Sequence, residues 1–341
     1  MREEGAKRLA VGCEFRTDSI LQILSFDKAL PLQIHPNKAL AAELHAQDPN
    51  NFTDTNHKPE ISVALSKFEL FIGWRPLDSI SPLFKIPSLR QFVPEGTEKW
   101  TDETLRTVVR NILKADELTI KRIEKELFLR LSKGGDSEAL LSSEMQDQIF
   151  KLLSRLQDQY TATDPGSLIA LLCMNYLVLE RGEAVFIPAD GIHAYLSGDI
   201  VECMARSNNM LAAGLCPVAD RNNIDLFAKT LTFSSDTKDF YLPAKSTSDG
   251  LKGHTTVYQP PISEFDMLRT TLASNEEERL RSHKGPKVAI VVSGLGKVSG
   301  DGKGLEAKEG YIFYIAPGLE TTWKAESDME IFTALVRVAE N

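Results

Sequence analysis

The chain has 341 residues, 42% of them apolar, and a mean hydropathy of −0.19, which makes a soluble globular protein of two or three domains the expectation. Lysine and arginine number 39 against 48 acidic residues, a net charge of −9. That balance argues against nucleic acid as a partner, because phosphate backbones need a basic surface; a small anion held by a few local cations stays compatible.

Cys13, Cys173, Cys203 and Cys216 are scattered with no CxxC pair, so a reducing compartment, the cytoplasm, is expected. No apolar run approaches the roughly 18 residues of a membrane span, so no membrane partner is expected. The charged start, Met1 to Arg8, leads into no apolar core and does not read as a secretory signal.

In chain order, residues 1–18 read as loop. Apolar residues from Ile20 to Ile34 indicate a strand, a turn near Asp27 and a second strand. Gln33 and His35 lie two apart there, so an amide and an imidazole leave the same face, with Pro36 stopping the strand behind them. Ala39–His45 is rich in helix formers, Asp48–Lys58 is polar loop, and residues 61–76 alternate well enough for one or two strands.

From Thr101 to Tyr160 apolar residues recur at helical spacing, with Thr101 as N-cap and Gly134-Gly135 as a break. Asp164-Pro165-Gly166 reads as a turn. Short apolar runs punctuated by glycine and proline then follow from Asn175 through Ala205, the pattern of a jelly-roll barrel. After a brief helix over Ile224–Leu231, strands are expected at Thr255–Tyr258, Ser263–Met267, Lys287–Val292, Tyr311–Ile315 and Glu330–Val338. Glycines at 294, 296, 300, 302 and 304 are read as turns between them. Lys308–Gly318 echoes Glu180–Asp190, which indicates a second barrel related to the first by an internal repeat. That copy has no histidine at the place of His193, so no metal is expected there.

The fold class is therefore mainly β with an inserted α-helical domain, as tandem jelly-roll barrels. Residues 1–95 and 166–226 form the first, metal-binding barrel, 96–165 the helical insertion, and 227–341 the second barrel.

Gly182, Pro188 and His193 read as strand, tight turn and an imidazole on the next strand. With Gln33, His35 and Glu60 this supplies two imidazoles, one carboxylate and one amide oxygen. That set suits Zn²⁺ with one position left for water or substrate. Taken singly each residue is ordinary: six histidines in a chain of this length, and a glutamate that could be a solvated charge. Residue types and spacing leave the metal reading and the packing reading both open. His57 competes with His35 but reads as solvated or supporting, and His45 as a surface residue.

Three segments resemble type I phosphomannose isomerase of fungal type: Gln33-Ile-His35-Pro36-Asn-Lys38, His57-Lys-Pro-Glu60, and the run Gly182 to Asn209. The likeness extends from about Ser19 to the C-terminus, including Tyr258-Gln-Pro-Pro-Ile-Ser-Glu-Phe. It implies tandem cupin-like jelly-roll barrels with an inserted helical domain, zinc ligands Gln33, His35, Glu60 and His193, one Zn²⁺ per chain, and a monomer. It implies interconversion of mannose 6-phosphate and fructose 6-phosphate in GDP-mannose supply, so the partner is a small phosphorylated sugar. Lys58, Tyr195 and Glu202 are the candidate catalytic residues, and Lys38 and Asn208 the candidate substrate contacts.

The sequence departs from the family pattern. The family carries a further segment ahead of the Gln33–His35 strand, before the point where this sequence begins. Its active-site Arg aligns with Ala212, its Lys with Val218, its Asp with Asn208, and a phosphate-side Ser with Pro31. Arg206 is displaced by several positions. Two lost cations at an anionic site would each cost about 2–4 kcal/mol of transition-state stabilisation. Impaired activity, or a non-catalytic zinc-binding protein that holds a sugar or a partner, is the alternative expectation. A cupin-type Fe(II) oxygenase using His35, Glu60 and His193 ranks last, because Gln33 is foreign to it.

Overall fold

A computed structural model describes residues 6–8, 19–132, 142–262 and 264–336. The fold is mainly β-sheet with several helices. It stacks as a helical layer followed by four sheets.

The first sheet runs in the order Met174–Leu179, Phe68–Trp74, His193–Ala205, Leu32–Ile34, Leu211–Gly214. The second contains Ala184–Ile187, Glu60–Ala64, the same His193–Ala205 strand, and Ser19–Phe26. One long strand thus serves both sheets. Its first half pairs with Phe68–Trp74, ending at Ser197 opposite Glu69. Its second half pairs with Ser19–Phe26, starting at Gly198 opposite Phe26. The crossover needs glycine: Gly198 has φ +127°, and a Cβ there would sit 2.6 Å from the Lys67 carbonyl oxygen.

Alternation along the strands decides what each face meets. Ala64, Phe68, Leu70, Ile72, Tyr195 and Ile200 fill the space between these two sheets. Ile61, Val63, Val201 and Cys203 point the other way and pack on Tyr258, Phe265, Met267, Ile290 and Phe332 of a seven-stranded sheet. That sheet in turn packs on a four-stranded one around Trp323, Phe313 and Leu280. Helices Asp102–Leu113, Glu117–Ser132, Ser143–Gln159 and Pro165–Cys173 cover the outer face of the first sheet. Thr101 caps the first of them in a reciprocal pair with Thr104. Among the described residues no helix is long and apolar enough to cross a membrane.

The repeat is visible in hydrogen bonds. Gly182 N–H donates to Ala64 O (2.8 Å), and Ala64 N–H to Glu183 O (2.9 Å). Gly310 N–H donates to Val291 O (2.9 Å), and Val291 N–H to Tyr311 O (3.0 Å). Both glycines have positive φ, +88° and +81°.

Several expectations need correction. Asp164-Pro165-Gly166 is no free turn: Asp164 accepts the Gly166 N–H at 2.8 Å as N-cap of helix Pro165–Cys173, with proline in its first turn. That helix is buried all round, so it carries no amphipathic period to read. Within 1–18, Ala6–Arg8 form a strand parallel to Ile312–Ile315; the rest, like Cys13 and Gly134-Gly135, lie outside the described residues. Gly294 and Gly302 do take turn geometry, at φ +89° and +71°, but Gly296, Gly300 and Gly304 lie within strands. Gly296 is required by close approach, since a Cβ would sit 2.2 Å from Lys324 O. The strand expected at Ser263–Met267 is Phe265–Leu272, with Ser263 outside the described residues. The one expected at Glu330–Val338 is Met329–Val336, with 337–338 outside them.

Candidate metal centre

Four side chains meet where three strand ends converge. Gln33 is central in Leu32–Ile34, and His35 follows it by one residue. Glu60 opens Glu60–Ala64, and His193 opens the long strand. Gln33 pairs directly with His193 across the ladder. All four are buried, His35 and His193 completely.

His35 Nε2 lies 3.2 Å from Glu60 Oε1, and His193 Nε2 lies 3.6 Å from Glu60 Oε2. One ligand atom from each of these three residues falls within 4.8 Å of the others, close enough to hold a metal ion. Gln33 Nε2 is 3.1 Å from His193 Nε2. An amide's oxygen and nitrogen interchange on a half-turn, so the same side chain can present Oε1 to that point.

The far nitrogens fix the rings. His35 Nδ1 bonds Asn209 O at 2.8 Å, and His193 Nδ1 bonds Gly191 O at 2.9 Å. A carbonyl only accepts, so each ring carries its hydrogen on Nδ1. Nε2 of each ring then faces the Glu60 carboxylate. His35 Nε2 is buried with no well-aligned hydrogen-bond partner despite its closeness to Glu60. Two imidazole nitrogens converging on one buried carboxylate are an arrangement that a cation satisfies, and nitrogen held from behind by a carbonyl is the usual support of a metal-ligating histidine.

Electrostatics agree. Burial would raise the Glu60 carboxyl, but His35, Lys58 and His193 outweigh it and hold it well below the usual carboxylate range. Burial pushes His193 down to about 4, partly offset by Glu60.

The other expected site residues divide. Lys58 Nζ is 3.1 Å from Glu60 Oε1. The Tyr195 hydroxyl reaches Glu60 Oε2 at 2.9 Å, Glu202 Oε1 at 3.3 Å and Ser62 Oγ at 2.8 Å. Gln22 donates to the other Glu202 oxygen at 2.6 Å. Burial, reinforced by the charge of Glu60, pushes Glu202 up to about 8. Tyr195 is raised well above its ordinary value, again by burial first.

Lys38 and Asn208 stand apart from this cluster. Lys38 is more than half exposed and pairs with Glu264 at 3.0 Å, and His57 pairs with the same carboxylate at 2.8 Å. Asn208 is exposed, and its backbone N–H donates to Asp54 Oδ2 at 2.9 Å. Ala212 is buried and pairs with Gln33, so its methyl lies on the face of the Gln33 side chain; Val218 is 67% exposed.

Sequence reasoning missed Asn209 and Gly191, whose carbonyls hold the imidazoles from behind, and Asp190, which bonds the His35 backbone and Asn37. Only the Asp190-Gly191 dipeptide, a turn signal, pointed to any of them.

The family model described as "Phosphomannose isomerase type I, catalytic domain" matches residues 11–77. Mannose-6-phosphate isomerase of Saccharomyces cerevisiae is 34% identical over 325 residues, covering 91% of this chain and 75% of that protein. The Schizosaccharomyces pombe protein of the same name is 33% identical over 324 residues, covering 91% and 77%. Among solved structures, a phosphomannose isomerase variant from Salmonella typhimurium superposes with a TM-score of 0.77 at 22% identity, covering 94% of this chain and 79% of that one. A zinc-bound mannose 6-phosphate isomerase gives 0.73 at 21%, with coverage of 94% and 79%. The two latter likenesses concern the fold; with the extent of sequence identity to the fungal proteins, they place the chain in the type I phosphomannose isomerase family of enzymes.

Proposed function

We propose that the chain is a zinc-dependent aldose–ketose isomerase that interconverts mannose 6-phosphate and fructose 6-phosphate. The observation that carries this reading is the pair of imidazoles, each anchored through Nδ1 and each turning Nε2 toward one ionised carboxylate. Gln33, His35, Glu60 and His193 would hold one Zn²⁺ per chain. When bound, zinc polarises the sugar carbonyl and lowers the barrier to moving hydrogen between C1 and C2.

The chain's own groups account for the proton. Glu202, pushed up to about 8, holds a proton at neutral pH and sits one hydrogen bond from Tyr195. Tyr195 links it to Glu60, while Lys58 keeps its ammonium beside the ligand carboxylate. These three are the candidate proton-handling groups, and Lys38 and Asn208 are the candidate outer contacts to the phosphorylated sugar. The stacked sheets are read as tandem cupin-like barrels, residues 1–95 with 166–226 and then 227–341, with the helical insertion at 96–165. A monomeric, cytoplasmic enzyme feeding GDP-mannose synthesis fits this reading.

A second reading rests on Ala212: its methyl faces the site beside Gln33, where the family resemblance implies an arginine. In that case the chain binds zinc and a sugar without turnover. A coupled assay on the zinc-loaded protein separates the two. Fructose 6-phosphate formed from mannose 6-phosphate, lost in Glu202→Gln, supports the isomerase; stoichiometric zinc with no turnover supports the second reading.

A further inference from the structure

Behind the two imidazoles lies a residue with no assigned role. Asp190 is buried and sits in the left-handed region at φ +61°, in the turn just before His193. Its N–H donates to His35 O at 2.7 Å. Its Oδ1 accepts the Asn37 N–H at 2.9 Å, and its Oδ2 accepts from Asn37 Nδ2 at 2.7 Å. Its own carbonyl accepts from Thr232 Oγ1 at 2.9 Å. The next residue, Gly191, supplies the carbonyl that holds His193 Nδ1.

These bonds stand where a strand ladder cannot. Gln33 opposite His193 is the last regular pair on that side. Pro36 has no N–H, so pairing cannot continue past His35. Asp190 takes over, gripping the chain on both sides of the proline. Asn37 is committed at its other end as well, since its Oδ1 caps the helix Lys38–Gln47 through the Leu40 N–H at 3.0 Å. The carboxylate thus ties the His193 turn, the His35 backbone and a helix into one unit.

We propose that Asp190 is a positioning residue for the metal centre, setting the spacing between the His35 and His193 imidazoles. The inference rests on the zinc reading above. It follows from geometry: metal–ligand distances tolerate errors of only a few tenths of an ångström, and groups that orient ligands from behind typically govern metal affinity by about 10- to 100-fold.

The test measures zinc dissociation constants of the full chain by competition with a chromophoric chelator. Asp190→Gly removes the carboxylate while accepting the positive φ without strain. Asp190→Asn keeps that backbone tolerance and one acceptor for the Asn37 N–H. Asp190→Gly is expected to bind zinc about 10- to 100-fold more weakly, with Asp190→Asn intermediate but still several-fold weaker than wild type, and both metal-free variants keeping a wild-type far-UV spectrum. Zinc affinity of Asp190→Gly within twofold of wild type overturns the proposal. Should that variant not fold, Asp190→Asn decides: affinity equal to wild type overturns the proposal, and a several-fold loss supports it. A wild-type chain that binds no zinc instead overturns the metal reading itself.

Discussion

Glu60 and Lys287 occupy the same place in the two halves of the repeat. Glu60 opens its strand opposite Ile187, and Lys287 opens its strand opposite Ile315. The pairs that follow stay in step, Val63 with Ala184 and Ile290 with Ile312. His193 and Thr321 each open a strand at the same distance beyond the turn glycines Gly182 and Gly310. Where the first half has the carboxylate of the candidate metal cluster, the second has a buried ammonium whose Nζ donates to Arg281 O at 2.7 Å.

That ammonium is costly. Burial pushes Lys287 down to about 8, partly offset by Asp249 and Glu320. The folded value lies below the unfolded one, so between pH 8 and 10.5 the unfolded chain binds more protons and wild-type stability rises with pH. Lys287→Met is expected to stabilise by about 1–3 kcal/mol at pH 7, with the gain shrinking toward pH 10. Melting temperatures of both proteins across that range check it; a constant difference would contradict the assignment.

Glu124 should show the opposite sign. It is buried in the helical layer, accepts from Gln157 at 2.8 Å, and is pushed up to about 7 by burial and by Asp164. Here the folded value exceeds the unfolded one, so its contribution is intact below pH 4.5 and is lost as pH rises through 7. Glu124→Gln is expected to match wild type near pH 4.5 and to exceed it by about 1–3 kcal/mol at pH 8. Urea unfolding at the two pH values measures the difference.

Removing the carboxylate of the metal cluster tests the ligand set. Glu60→Ala is expected to abolish zinc retention through gel filtration, because Glu60 is the carboxylate both imidazoles face. Elemental analysis reads this directly, and full occupancy in the variant would refute the assignment.

Ala212 tests whether the site lacks a cation. A side chain there projects beside Gln33, at a position with no exposed surface. Ala212→Arg is expected to raise kcat/KM for mannose 6-phosphate about 10-fold or more, since one charge-assisted contact to developing charge commonly contributes about 2–4 kcal/mol. An unchanged kcat/KM in a folded, zinc-loaded variant would show that the site does not lack this charge.

The ligand strand, the Glu60 strand and the His193 strand were legible because each announces itself by alternation and a flanking proline or glycine. Helix Asp102–Leu113 was legible because its apolar face repeats at helical spacing after the Thr101 cap. Helix Pro165–Cys173 was not, because an element buried on every side shows no polar phase. The supporting hydrogen bonds were also hidden: Asn209 and Gly191 act through backbone carbonyls, which any residue could supply. Lys287 was invisible as a counterpart of Glu60 until strand register aligned the two halves.

The second half of the repeat keeps the same turn, the same strand entry and the same pairing with none of the ligand chemistry at Lys287 and Thr321. Such a scaffold owes its shape to ladders and packed side chains, so a divalent ion held by His35, Glu60 and His193 would be cargo for the architecture and not its keystone. Chelator treatment should therefore yield an inactive but well-formed protein that recovers on reloading, with depletion and denaturation as separate events.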